Sequence, residues 1–81
     1  MKIRVRLFAS FREAAGGGTL FWDAPEGATV SEVVAALRER YPGFGPAAER
    51  ALLAVNQEYV GGDVRLDDGD ELALIPPVSG G

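Results

Sequence analysis

The chain has 81 residues, of which 47% are hydrophobic and 25% charged, with a net charge of −4. That length holds one domain around one modest core. Histidine and cysteine are both absent, which excludes a Cys/His zinc site, a Ser-His-Asp triad, a cysteine nucleophile and a disulfide scaffold. Lys2 is the only lysine beside seven arginines, so a phosphate loop ending in Gly-Lys-Ser/Thr is excluded too. The acidic balance argues against a nucleic-acid partner. Apolar runs such as residues 51–55 are far too short to cross a membrane. With no signal segment expected before the first strand, the expected setting is the cytoplasm.

Residues 2–9 alternate. Ile3, Val5, Leu7 and Ala9 share one face, and Lys2, Arg4, Arg6 and Phe8 the other, which predicts a half-buried strand. Ser10-Phe11-Arg12-Glu13 has the capping-box pattern, with Ser10 expected at the N-cap. Only about one turn fits before Gly16-Gly17-Gly18 stops it. Residues 19–24 are rich in β-branched and aromatic residues, a second strand expected to pair with the first as a hairpin. Thr29-Val30-Ser31-Glu32 is a second capping box. Behind it Val30, Val33, Val34, Leu37 and Tyr41 form the apolar stripe of an amphipathic helix. Arg38 and Arg40 suit the negative end of its dipole, and Tyr41-Pro42-Gly43 ends it.

Residues 44–50 read as loop with a short helical turn. Residues 52–56 predict a third strand and residues 57–60 a short edge strand before the Gly61-Gly62-Asp63 turn. Asp67-Asp68-Gly69-Asp70 is a tight turn. Residues 71–75 predict the last strand, with Leu72 and Leu74 inward. The order predicts an α+β chain: a mixed sheet of four to five strands with one main helix packed on one face. A β-grasp, ubiquitin-like fold fits this order best, with the first and last strands as the central pair. The expected domain is 1–75, followed by an extended tail, 76–81.

Three motifs invite chemistry and have simpler explanations. The acidic run Asp63, Asp67, Asp68, Asp70, Glu71 fails calcium-loop spacing, because Arg65 and Leu74 fall where ligands belong. Turn formation accounts for it, and no metal is expected. Gly16 to Gly18 follow a helix rather than open one, so they are a hairpin connection, not a phosphate cradle. Ser31, at a helix start in an acidic chain, has the position of an acyl carrier's modified serine. The strand-rich pattern and the missing Asp-Ser-Leu context make it an ordinary first-turn residue.

The tail carries more. Pro76 and Pro77 lack N–H donors, so the last strand must stop and the chain must leave the sheet in stiff, extended geometry. Residues 76–81 reach roughly 20 Å at ~3.3–3.6 Å each. Gly80 and Gly81 can thread a narrow channel, and the tip presents an α-carboxylate. A carboxylate is a poor electrophile until a partner converts it to an acyl adenylate. The tail therefore has the form of a substrate arm for an ATP-dependent activating enzyme.

At this point the residues resemble a known family. Leu7-Phe8-Ala9-x-Phe11-Arg12-Glu13, Ala54-Val55-Asn56-Gln57, Leu66-x-Asp68-Gly69-Asp70-Glu71 and Pro76-Pro77-Val78-Ser79-Gly80-Gly81 are similar to the small subunit of molybdopterin synthase. The resemblance spans the chain; residues 16–27 and 42–50 match nothing diagnostic. It implies a sulfur carrier. An adenylating enzyme activates the Gly81 carboxylate using ATP, and a sulfur donor system converts it to a thiocarboxylate. Pro76, Pro77, Val78, Ser79 and Gly80 thread into the large synthase subunit, where sulfur passes to cyclic pyranopterin monophosphate. The implied assembly is a heterotetramer. No cofactor is bound by the carrier itself, and catalytic side chains are expected on the partner.

Strand parity locates a docking surface for these partners. With Leu7, Leu72 and Leu74 inward, Phe8 and Ile75 point outward. If the first and last strands are parallel neighbours, both lie where the tail departs. The resemblance adds Tyr59 to this partner-binding patch. Two rival readings stay open. One is a carrier for thiazole or tRNA thiolation, or a protein modifier; the other is a β-grasp adaptor without sulfur chemistry.

Overall fold

The structure is a computed structural model and describes residues 1–77. Strict alternation makes β1 (Lys2–Leu7) a strand whose Ile3, Val5 and Leu7 are buried while Lys2, Arg4 and Arg6 face out. It sits inside a five-stranded sheet of order β2-β1-β5-β3-β4, where β2 is Thr19–Asp23, β3 Leu52–Val55, β4 Glu58–Tyr59 and β5 Glu71–Ile75. β1 runs antiparallel to β2 and parallel to β5, and β3 is antiparallel to both β5 and β4. This is the expected β-grasp arrangement, with the first and last strands as central neighbours.

The helix α2 (Val30–Arg40) covers one face. Its Val30, Val33, Val34 and Leu37 join Ile3, Val5, Leu72 and Leu74 in a single core; Tyr41, the expected fifth member of the stripe, caps the helix and is half-buried. The capping box forms as expected. Glu32 N donates to Thr29 Oγ1 at 3.2 Å, and Thr29 N donates to Glu32 Oε1 at 3.0 Å. The Thr29 N–H and the Thr29 hydroxyl, which donates to the same Oε1 at 3.0 Å, hold the Glu32 carboxyl below its ordinary range, with help from the positive charge of Arg65.

Two consequences are measurable. Thr29→Ala removes the cap acceptor and is expected to cost about 1 kcal/mol, a melting-point drop of about 4–8 °C by calorimetry. The lowered Glu32 makes the box pH-dependent. Its ionised form contributes fully above the ordinary glutamate range, and the contribution is lost as pH falls through the lowered folded value. Glu32→Gln, which keeps the geometry, is expected to flatten the acid limb of the stability profile.

The short helix α1 (Ala9–Ala15) corrects the expected start. Ser10 is not the cap: Phe8 occupies that position with extended backbone and no side-chain hydrogen bond, and Ala9 turns the chain at φ 49°. Ala9 is therefore exposed in α1 instead of inward on a strand. The reason lies in Phe11, fully buried, with its ring centroid 5.0 Å from that of Phe44. Burying an aromatic ring is worth ~1.5–3 kcal/mol, more than the ~1 kcal/mol of a serine cap. Gly16 then closes α1 at φ 79°, a left-handed conformation that glycine adopts without strain.

Residues expected to be mostly loop form a 3₁₀ segment, Pro42–Arg50, broken at Gly45. It buries Phe44 and Ala48 and seals the end of the core between α1 and α2. The third strand ends one residue early, because Asn56 and Gln57 both have positive φ and make the two-residue turn between β3 and β4.

Candidate functional site

The position of the site depends on register, and register depends on a polar clasp at the far end of β5. Asn56 N donates to Glu71 O at 2.9 Å, Glu71 N donates to Asn56 Oδ1 at 3.0 Å, and Asn56 Nδ2 donates to Asp70 Oδ1 at 2.9 Å. Asp70 Oδ2 also accepts from Asp67 N at 2.7 Å, Asp68 Oδ1 from Lys2 N at 2.7 Å, and Arg4 pairs with Glu71 at 2.8 Å. The acidic turn thus ties β3 and β1 to the start of β5, and the carboxylates of Asp68, Asp70 and Glu71 are used as structural acceptors. Among the described residues no cluster of three or more metal-ligating side chains occurs. Calorimetry with calcium or magnesium is expected to show no stoichiometric isotherm; a tight one would overturn the structural role given to the turn.

With register fixed, the outer face of the sheet can be read across strands. Leu7 lies opposite Leu74, so Phe8 and Ile75 are the next step of the same parallel ladder. Phe8 keeps extended backbone, φ −124° and ψ 151°, which turns its side chain to the outer face, where it is 38% exposed. Ile75, half-buried, pairs on its other side with Leu52, which is 45% exposed. Ala73 pairs with Ala54, and Ala54 with Tyr59, which is 74% exposed. The result is an apolar patch of Phe8, Ile75, Leu52, Ala73 and Tyr59 on one face, with Ala54 on the same face but buried. Arg6 borders it, its guanidinium 5.5 Å from the Phe8 ring centroid.

The three residues assigned to the patch from sequence therefore lie on one surface. Leu52 was missed. Its signal was available: with Leu53 and Val55 paired to Leu74 and Leu72 on the inner face, Leu52 has to point out. β5 ends at Ile75, and Pro76 and Pro77 follow outside any strand, half-buried. Val78, Ser79, Gly80 and Gly81 lie outside the described residues. Apart from the Tyr59 hydroxyl the patch is apolar; it can bind a partner at the root of the tail.

Ser31 is likewise structural. Its backbone N–H and its hydroxyl both donate to Gly62 O, at 2.9 and 2.8 Å, and a Cβ at Gly62 would overlap that hydroxyl. Among the described residues, no helix is long and apolar enough to cross a membrane.

Residues 5–81 match the ThiS family. The molybdopterin synthase sulfur carrier subunit of Dictyostelium discoideum is 39% identical over 99% of this chain and 96% of its own length. Among solved structures, SAMP1 of Haloferax volcanii superposes with a TM-score of 0.83 at 32% identity, covering all of both chains. A chain from the complex of subunits 1 and 2 of the molybdopterin-converting factor of Helicobacter pylori does so with a TM-score of 0.71 at 26% identity, again over both full lengths.

Proposed function

The chain belongs to the ThiS family, within the kin of the molybdopterin synthase sulfur carrier subunits, and from that premise we propose that it carries sulfur on Gly81 for the formation of molybdopterin. The Gly81 carboxylate attacks the α-phosphate of ATP on an activating enzyme, forming an acyl adenylate and releasing pyrophosphate. Sulfide-level sulfur delivered by a donor attacks the acyl carbon, displaces AMP and leaves a thiocarboxylate. The charged tail, residues 76–81, then threads into a large synthase subunit, where its sulfur bonds to cyclic pyranopterin monophosphate; water cleaves the acyl–sulfur bond, leaving the sulfur on the pterin and Gly81 as a carboxylate. ATP is spent by the activating enzyme, and the carrier holds no cofactor of its own. The reaction is placed in the cytoplasm, where ATP is available to the activating enzyme.

The observation that carries this reading is the apolar patch at the root of the tail. An apolar binding surface at the root of the tail suits a cosubstrate whose chemistry is completed by its partner. The Helicobacter pylori relative, solved as a complex of two subunits, supports a large-subunit partner. The test is intact mass after incubation with ATP, an activating enzyme and a sulfur source, followed by transfer with a large synthase subunit. A sulfur-for-oxygen shift at Gly81, lost on addition of the cyclic precursor with formation of molybdopterin, is the expected result. A charged carrier that keeps its sulfur in the presence of subunit and precursor would sink it.

The likeness to SAMP1, a small archaeal modifier protein, favours one second reading, covalent attachment of Gly81 to other proteins. It predicts covalent conjugates, with loss of water, where the carrier reading predicts a thiocarboxylate.

A further inference from the structure

The sheet has an unprotected end opposite the docking patch. β2 is its terminal strand, and hydrogen-bond phase shows which of its groups are free. Met1 and Ala24 exchange both backbone bonds, at 2.7 and 2.8 Å, and Leu7 N donates to Gly18 O at 2.8 Å. Pairs in an antiparallel ladder alternate, so Ile3–Trp22 and Val5–Leu20 are also bonded pairs. The N–H and C=O groups of Thr19, Phe21 and Asp23 therefore point away from β1, and no partner for them occurs among the described residues. Phe21 stands at the middle of this open edge and is 66% exposed.

We propose that β2 is a self-association edge: two copies pair β2 to β2, antiparallel, about a twofold axis at Phe21, forming one continuous sheet. The strand is self-complementary in this register. Phe21 meets Phe21 of the second copy on the outer face, and Thr19 meets Asp23, so no like charges stand opposite each other. On the helix face half-buried Leu20 meets half-buried Trp22. Each edge-facing residue exchanges its N–H and C=O with one residue of the other copy.

Charge selects the second copy and the antiparallel sense. The Thr19 end carries two arginines. Arg6 is the cross-strand partner of Thr19, and the Arg12 side chain lies against Gly18. Neither has a carboxylate within 4.0 Å among the described residues. The Asp23 end carries the exposed carboxylates of Asp23 and Glu26, held only at 3.8 Å by Lys2 and the N-terminal amine. Antiparallel pairing sets the arginine end on the carboxylate end twice; parallel pairing would set like on like. The patch runs from Phe8, at the end of β1, across β5, β3 and β4, so pairing through β2 uses none of its residues.

The test is sedimentation equilibrium of the full chain from roughly 10 μM to roughly 1 mM, where mass action draws a weak dimer out. The expected result is a mass rising from one chain to two, with the Phe21 amide gaining hydrogen-exchange protection at the high end. Thr19→Asp sets a carboxylate opposite Asp23 at both symmetry-related positions, and Phe21→Lys sets two cations on the axis. Each is expected to weaken the dimer about tenfold or more, with circular dichroism unchanged. Thr19 is an exposed edge residue, so its variant keeps the test open should Phe21→Lys fold poorly. A chain that stays single throughout would overturn the proposal. So would a dimer that survives Thr19→Asp, or one that leaves the Phe21 amide unprotected.

Discussion

Deleting Gly81, or adding one residue after it, is expected to abolish thiocarboxylate formation while leaving the melting temperature of the domain unchanged. The two halves of this result have separate physical causes. Activation requires a carboxylate oxygen in line with the α-phosphate of ATP. One residue more or less moves that oxygen by roughly 3.5 Å along an extended chain, and a misplacement of even ~1 Å can cost ~10²-fold in rate. Stability depends on the core, whose last buried member among the described residues is Leu74. Gly81 has no side chain and lies seven positions further along the chain, so its deletion removes nothing from that core. Replacing Gly80 by a bulky residue is expected to act by the same route, obstructing the channel while the fold persists. The readout is intact mass beside a thermal melt. Normal thiocarboxylation of the extended chain would sink the assignment of Gly81, and a fall in melting temperature would show that the tail does more than reach.

The parts of this fold that were legible in sequence are those where one periodic signal faced no competitor. The alternation of residues 2–7 had a single solution, because every second residue is charged. The helix stripe at Val30, Val33, Val34 and Leu37 was bracketed by a capping box at one end and Pro42 at the other. The parts that were not legible are those where a local signal lost to packing. Ser10-x-x-Glu13 is a sound capping pattern, but it yields to the burial of Phe11 against Phe44, a contact between residues far apart in the chain. Pro42 to Arg50 has no period at all; its 3₁₀ geometry follows from having to bury Phe44 and Ala48 at the end of the core.

The hairpin between β3 and β4 shows a different limit. Two-residue turns with positive φ are announced by Asn-Gly or Asp-Gly, and Asn56-Gln57 is neither. Gln57 accepts φ 72° because Asn56 is clasped to Asp70 and Glu71 by its side-chain amide. Only the tertiary structure holds that information. The same clasp joins two of the motifs that carried the family resemblance, Ala54-Val55-Asn56-Gln57 and Asp68-Gly69-Asp70-Glu71. Their shared task is register: they fix β5 against β3 and β1, and so decide which side chains stand at Ile75.

Replacing Phe8 by alanine is expected to weaken binding to both the large synthase subunit and the activating enzyme by ~1–3 kcal/mol, ~5–150-fold in Kd, with little change in fold stability. Exposure alone would choose other residues: Phe21 is 66% and Tyr59 74% exposed, against 38% for Phe8. Position chooses Phe8. A partner that grips the tail must meet the surface from which the tail leaves, and that surface is the step of the ladder shared by Phe8, Ile75 and Leu52. Two anchors on one rigid root bind together more tightly than either alone, because engaging one holds the other at high effective concentration. A half-exposed ring is also better placed as an anchor than a fully exposed one. Its orientation is already held, here with the Arg6 guanidinium over one face, so less side-chain freedom is lost on binding. Leu52→Asp sets a charge in the middle of the same contact and is expected to cost as much or more. Phe21→Ala, on the same face at the far edge of the sheet, is expected to leave both affinities unchanged. Titration of the three variants against each partner decides the matter. Equal losses for Phe8→Ala and Phe21→Ala would mean that a general apolar face is recognised, and unchanged affinity for Phe8→Ala would remove the tail root from the interface altogether.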